Sequence, residues 1–162
     1  MNIVHEALPC NLSSLMSEFP LASALQTMKS VWCSSFLGMV MDTDVRALRS
    51  LAETYFDAAY EMDADKFASI FHSSSSVTKV GDNGDVSVTP IALWLATVRT
   101  MTPPKQQGLE RHDRIISIDV EGELALVKLK LQIAPRHFTD MLSCLKANGT
   151  WKIAQKVMTS KT

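Results

Sequence analysis

Apolar residues repeat with a helical period in the first part of the chain and alternate in the last. Across 44–62, Val45, Leu48, Ala52, Tyr55, Ala59 and Met62 recur three and four positions apart, and Leu51 and Phe56 widen the stripe. That spacing predicts an amphipathic helix. Asp42, Thr43 and Asp44 stand where a helix start is capped and where its dipole favours negative charge. Asp63 opens a shorter helix, DADKFASIF, with Phe67, Ile70 and Phe71 inward, ended by His72 and four serines. SVTKV and DVSVTP on either side of GDNG predict a hairpin. Thr89-Pro90 predicts a third helix, a capping hydroxyl before a proline in the first helical position. It runs from Ile91 to about Met101, with Leu93, Trp94, Val98 and Met101 on overlapping faces, and stops before Pro103-Pro104.

From residue 111 the period is two. Ile116, Ile118 and Val120 share one face of a strand over 111–121. Ala125, Val127, Leu129, Leu131 and Ile133 share a face over 124–134, opposite Lys128, Lys130 and Gln132, after a turn at Glu121-Gly122. A closing hairpin, RHFTDMLSCLKANGTWKIAQKVM, turns at Asn148-Gly149, a dipeptide suited to a two-residue hairpin loop. Helices followed by long antiparallel strands make an α+β fold, with the helices on one side of the sheet.

Composition narrows the function without naming it. With 162 residues the chain forms one main domain, and a net charge of −1 with scattered Lys and Arg argues against nucleic acid. Residues 1–40 carry only Glu6, Glu18 and Lys29 as full charges, whereas 15 basic and 15 acidic residues follow from Met41 on. The first forty residues therefore read as a poorly ordered extension, and 41–162 as the domain. The apolar run Val31–Met41, broken by Ser34, Ser35 and Gly38, is too short to span a bilayer. Cys10, Cys33 and Cys144 are odd in number and lack CxxC spacing. No disulfide framework or zinc site is expected, and a reducing, cytoplasmic location is. No HxH or HExxH spacing occurs either, so no metal is expected.

The element order and the segment TYFDAAYEMDADKFASIFHSSSSV resemble the nuclear-transport-factor-2-like superfamily. FTDMLSCLKANGTWKIAQKV, closing the chain, is similar to its lumazine-binding-like family, a relative of the SnoaL-like cyclases; the resemblance covers about residues 43–159. It implies a cone-shaped, cystatin-like fold in which three N-terminal helices pack against a curved, mostly antiparallel sheet. It also implies a pocket for a small hydrophobic or planar ligand, no cofactor, and a homodimer formed through the sheets. As to function, it implies a small-molecule-binding domain. A cofactor-free enzyme of SnoaL type, with acid–base chemistry from Asp140 and His72, is the alternative, and a protein-interaction module the third class.

Several side chains then become site candidates. Tyr55 stands where related isomerases hold an oxyanion-stabilising tyrosine, but Lys79 falls where they hold their carboxylate base, so an isomerase loses its base. Tyr55 also reads as a core aromatic with its hydroxyl satisfied. Trp94 offers a stacking surface, Arg111 and His112 a pocket rim, and His72 a base or donor. His72 also reads as a helix-terminal residue, and Trp94 as core. Asp140 is in phase with Phe138, Leu142 and Cys144, an acid on an apolar face. It must be paired, protonated or beside a wet cavity. One reading places it at the pocket boundary near Tyr55 and Trp94; the other pairs it structurally with Arg111 or Arg136. His137 is out of phase with Asp140 and points away from it.

Overall fold

The structure is a computed structural model. It describes the backbone of residues 22–162 apart from Asp82, with side chains from Asp42 onward. The extension expected over 1–40 lies outside the described residues through position 21, and from Ala22 its backbone is helical. By its internal contacts the chain divides into two units, Met1–Gly38 and Met39–Thr162. The site lies in the second.

Helix α1 spans Ala22–Glu61, so Asp42, Thr43 and Asp44 lie inside it instead of capping it. Its expected stripe holds: Leu48, Leu51, Ala52, Tyr55, Phe56 and Ala59 are buried. The helix ends where Met62 takes a left-handed backbone (φ 48°) and the Asp63 N–H reaches back to the Ala58 carbonyl, 2.9 Å away. Such a six-to-one bond is the Schellman termination, which satisfies a carbonyl the helix would otherwise orphan. The Asp63 side chain at once caps α2 (Ala64–Ile70), accepting from the N–H groups of Asp65 and Lys66, both at 3.0 Å. One residue thus closes the first helix with its backbone and opens the second with its side chain.

Strand β1 (Phe71–Val80) begins earlier than expected and takes in His72 and the four serines. Phe71 and Ser76 pair with the last strand, and His72 to Ser75 form an irregularity between them, held by local bonds such as that from the Ser75 hydroxyl to the His72 carbonyl at 2.6 Å. β2 (Val86–Pro90) completes the hairpin. Pro90 itself occupies the N-cap position of α3 (Ile91–Val98), and no side chain caps it, so the Thr89 cap does not form. Ile91, Leu95 and Val98 make the buried stripe of α3, with Trp94 half-buried beside it. Leu93 and Met101 are exposed, because Leu93 lies on the opposite face and the helix stops at Val98.

Four long strands follow: β3 (Arg114–Glu121), β4 (Leu124–Ile133), β5 (Arg136–Ala147) and β6 (Thr150–Lys161). The sheet order is β2-β1-β6-β5-β4-β3, antiparallel except where β1 runs parallel to β6. At the closing turn Asn148 (φ 51°) and Gly149 (φ 76°) both adopt the positive φ that a type I′ hairpin needs. One expected face is corrected. A bulge between Ile115 and Ser117 leaves Ile116 exposed and turns Ile115 inward beside Ile118 and Val120. An extra residue inverts the alternation on one side of it. The face of β4 from Ala125 to Ile133 is as expected.

Candidate functional site

Asp140 is on the inner face, between Leu129 of β4 and Met158 of β6. Only 1% of it is exposed, so it lies in the core and not at a solvent-reachable boundary. Its partners are Tyr55 and Lys156. The Tyr55 hydroxyl donates to Asp140 Oδ2 at 2.6 Å, and Lys156 Nζ lies 3.2 Å from the same oxygen. Lys156 also donates to the Tyr55 hydroxyl oxygen. Neither Arg111 nor Arg136 is the counter-ion.

Lys156 is the site residue that the sequence hides. Trp151 and Ile153 face inward, and unbroken alternation from them would turn Lys156 outward. Between Ser143 and Cys144 the β5–β6 register shifts, so that Cys144 faces Ile153 but Ser143 faces Gln155. Ala154 is the extra residue, and past it Lys156 and Met158 point inward. Lys156 stands between Gln155 and Val157, with Ala154 and Met158 two positions away, and this mixture gives no period-based sign of it.

Aromatic rings enclose the cluster. Phe67 lies edge-on to Tyr55 (centroids 5.2 Å apart) and to Trp94 (4.8 Å). Lys156 Nζ stands 4.9 Å from the Trp94 ring centroid and 5.2 Å from that of Tyr55, within cation–π range. Burial, then the Asp140 charge, then its hydrogen bond push the Tyr55 phenol well above its ordinary 10. Tyr55 is therefore a phenol at neutral pH, with its proton committed to Asp140. Asp140 Oδ1 is different: it is buried and no donor among the described residues reaches it.

The other expected residues are elsewhere. His72 is exposed on β1, its Nδ1 2.7 Å from the Ser74 hydroxyl, so it forms no acid–base pair with Asp140. Arg111 bonds Asp57 at 2.7 Å, pairs with Asp113 and lies over the Tyr60 ring. His112 is exposed, with Nε2 3.2 Å from Glu110. Lys79 is exposed as well. Of the candidates, the fold joins Tyr55, Trp94 and Asp140, and adds Lys156. With His72 absent and the Tyr55 proton already engaged, the cluster lacks a free acid–base pair. It offers instead an orphaned acceptor beside an aromatic wall.

A second buried acid has a structural role. Asp44 accepts from Trp151 Nε1 at 3.0 Å and from Lys146 Nζ at 2.7 Å, tying α1 to both strands of the closing hairpin. These bonds hold its carboxyl below the ordinary value, against the opposing effect of burial. Among the described residues no group of His, Cys, Asp and Glu is placed to hold a metal ion. No helix among them is long and apolar enough to cross a membrane.

Residues 43–159 match the model of the family described as "Putative lumazine-binding". The chain belongs to this family. Its fold is that of the nuclear-transport-factor-2-like proteins. A member of unknown function from Silicibacter pomeroyi is 23% identical with TM-score 0.64, over 75% of this chain and 98% of that one. Another, from Shewanella baltica, is 20% identical with TM-score 0.68, over 74% and 95%. A ketosteroid isomerase-like protein from Erwinia carotovora atroseptica is 12% identical with TM-score 0.58, over 72% and 95%. No curated protein matches the chain.

Proposed function

We propose that this domain binds a small planar heterocycle of lumazine type at the Trp94–Lys156–Tyr55–Asp140 cluster. The observation that carries the reading is Asp140 Oδ1, a buried carboxyl oxygen without a donor among the described residues. Such an atom costs free energy until a donor reaches it, and the ring N–H of a heterocyclic imide is a donor of the right kind. The aromatic wall of Phe67, Phe71 and Trp94 suits a flat, largely apolar body. Because Asp140 and Lys156 are 1% and 5% exposed, the ligand enters by displacing a side chain, and half-buried Trp94 is the one placed to move.

The test is thermal denaturation with lumazine as the probe. Lumazine should raise the melting temperature of the wild type in a concentration-dependent way, since a ligand of the native state stabilises it by mass action. Asp140→Asn, melted from a temperature where circular dichroism shows it folded, should show no such rise. No shift in the wild type up to the solubility limit would refute the ligand class. An equal rise in both proteins would remove Asp140 from the site.

The same reading includes a homodimer formed through the outer face of the sheet. Exposed Leu124, Leu126, Met141, Leu145, Val157 and Val88 share that face, and Met141, Val157 and Val88 lie along one cross-strand row through Thr78. Exposed apolar side chains gathered on one sheet face in this way mark an interaction surface. A cytoplasmic setting accords with Cys144 as a free, buried thiol.

A further inference from the structure

A cavity of about 340 Å³ lies at the opposite end of the strands from the Asn148-Gly149 turn. Its polar lining comes from two adjacent cross-strand rows on the face away from Asp140. Lys130, Thr139 and Thr159 form one, and His137 pairs with Lys161 in the next. His112, from the segment before β3, also lines it, and Arg114 flanks Lys130 on β3. No Asp or Glu lines the cavity. The acids nearest in the described contacts both meet His112: Glu110, which is 86% exposed, and Asp113, whose charge is engaged by Arg111. Neither Lys130 nor Lys161 has an ion-pair partner among the described residues. Leu131 and Phe138, from the inner face, add apolar lining.

Like charges gathered around a concave surface repel one another, and the repulsion is relieved when an anion binds. Two lysines supply mobile point charges for oxyanion oxygens, and the Thr139 and Thr159 hydroxyls can donate to the same oxygens. The volume exceeds that of a bare phosphate and falls at the lower end of small-molecule sites. We propose that this cavity binds a small organic anion of the phosphate-monoester class, its charged group between Lys130 and Lys161 and its apolar part toward Leu131 and Phe138. The charged groups of this site lie on the face away from Asp140 and share no residue with the Asp140 cluster, so either can fail without the other.

Phenyl phosphate is the probe, titrated into the ¹⁵N-labelled full chain at low ionic strength, where exposed charges are least screened. Saturable amide shifts should appear at residues 130, 137–139 and 159–161, with no response to phenol, the neutral counterpart. The double variant Lys130→Ala/Lys161→Ala should bind at least about tenfold more weakly, the equivalent of one strong charged contact. Lys105→Ala, which removes a lysine paired with Glu61 at 2.8 Å, should bind as the wild type does. Equal affinity in the wild type and the double variant would overturn the proposal. So would non-saturating shifts spread over exposed lysines generally, or equal binding of phenol.

Discussion

Lys156→Met removes the ammonium and keeps the side-chain length. It leaves Asp140, 1% exposed, with the Tyr55 hydroxyl as its one hydrogen-bond donor in the cluster. Removing one partner of a buried pair costs about 3–5 kcal/mol, because the remaining charge keeps its desolvation penalty and loses its compensation. In a domain of this size each kcal/mol is worth about 3–4 °C, so a fall of about 9–20 °C in melting temperature is expected. Asp140→Leu should cost a similar amount, since Lys156 then keeps only the Tyr55 oxygen and the two rings. Urea unfolding followed by circular dichroism would complete the cycle. The double variant should be less destabilised than the sum of the singles by at least about 2 kcal/mol, as groups in one network are not additive. Adding Tyr55→Phe should recover more, because a buried hydroxyl without a partner is itself costly. A Lys156→Met cost below about 1 kcal/mol, in the range of exposed pairs, would refute the buried network, and so would single costs that simply add.

Two further outcomes follow from other parts of the domain. Asp44 titrates below its ordinary value when folded, so its contribution is complete above the unfolded pKa of about 4 and is lost as pH falls through the lower folded one. Asp44→Asn should therefore cost about 1–2 kcal/mol at pH 7, and the gap to wild type should narrow below about pH 4; a gap independent of pH would deny the carboxylate its role. Val157→Lys, at the centre of the outer apolar row, should convert a dimer at micromolar concentration into a monomer in sedimentation equilibrium, whereas a monomeric wild type would refute the homodimer.

What the sequence determined by itself was whatever depends on neighbours a few residues apart. The α1 stripe around Leu48, Ala52 and Tyr55, the β4 alternation from Ala125 to Ile133, and the Asn148-Gly149 turn were all legible, because helical and strand periods are local geometry. Asp140 was legible on the inner face for the same reason: no bulge separates it from Leu142 and Cys144. Its partner was not. Lys156 faces inward because the β5–β6 register shifts at Ala154, and Ile115 replaces Ile116 in the core because β3 bulges against β4. One extra residue inverts every later position, and its place is set by which cross-strand pairing lets both strands bury their apolar sets, a long-range choice. Helix boundaries failed likewise. Capping oxygens at Asp42–Asp44 signalled a start, yet Asp44 sits inside α1, where Trp151 and Lys146, more than a hundred residues away in sequence, satisfy it. Local chemistry states what a side chain needs, and the tertiary structure decides which distant group supplies it.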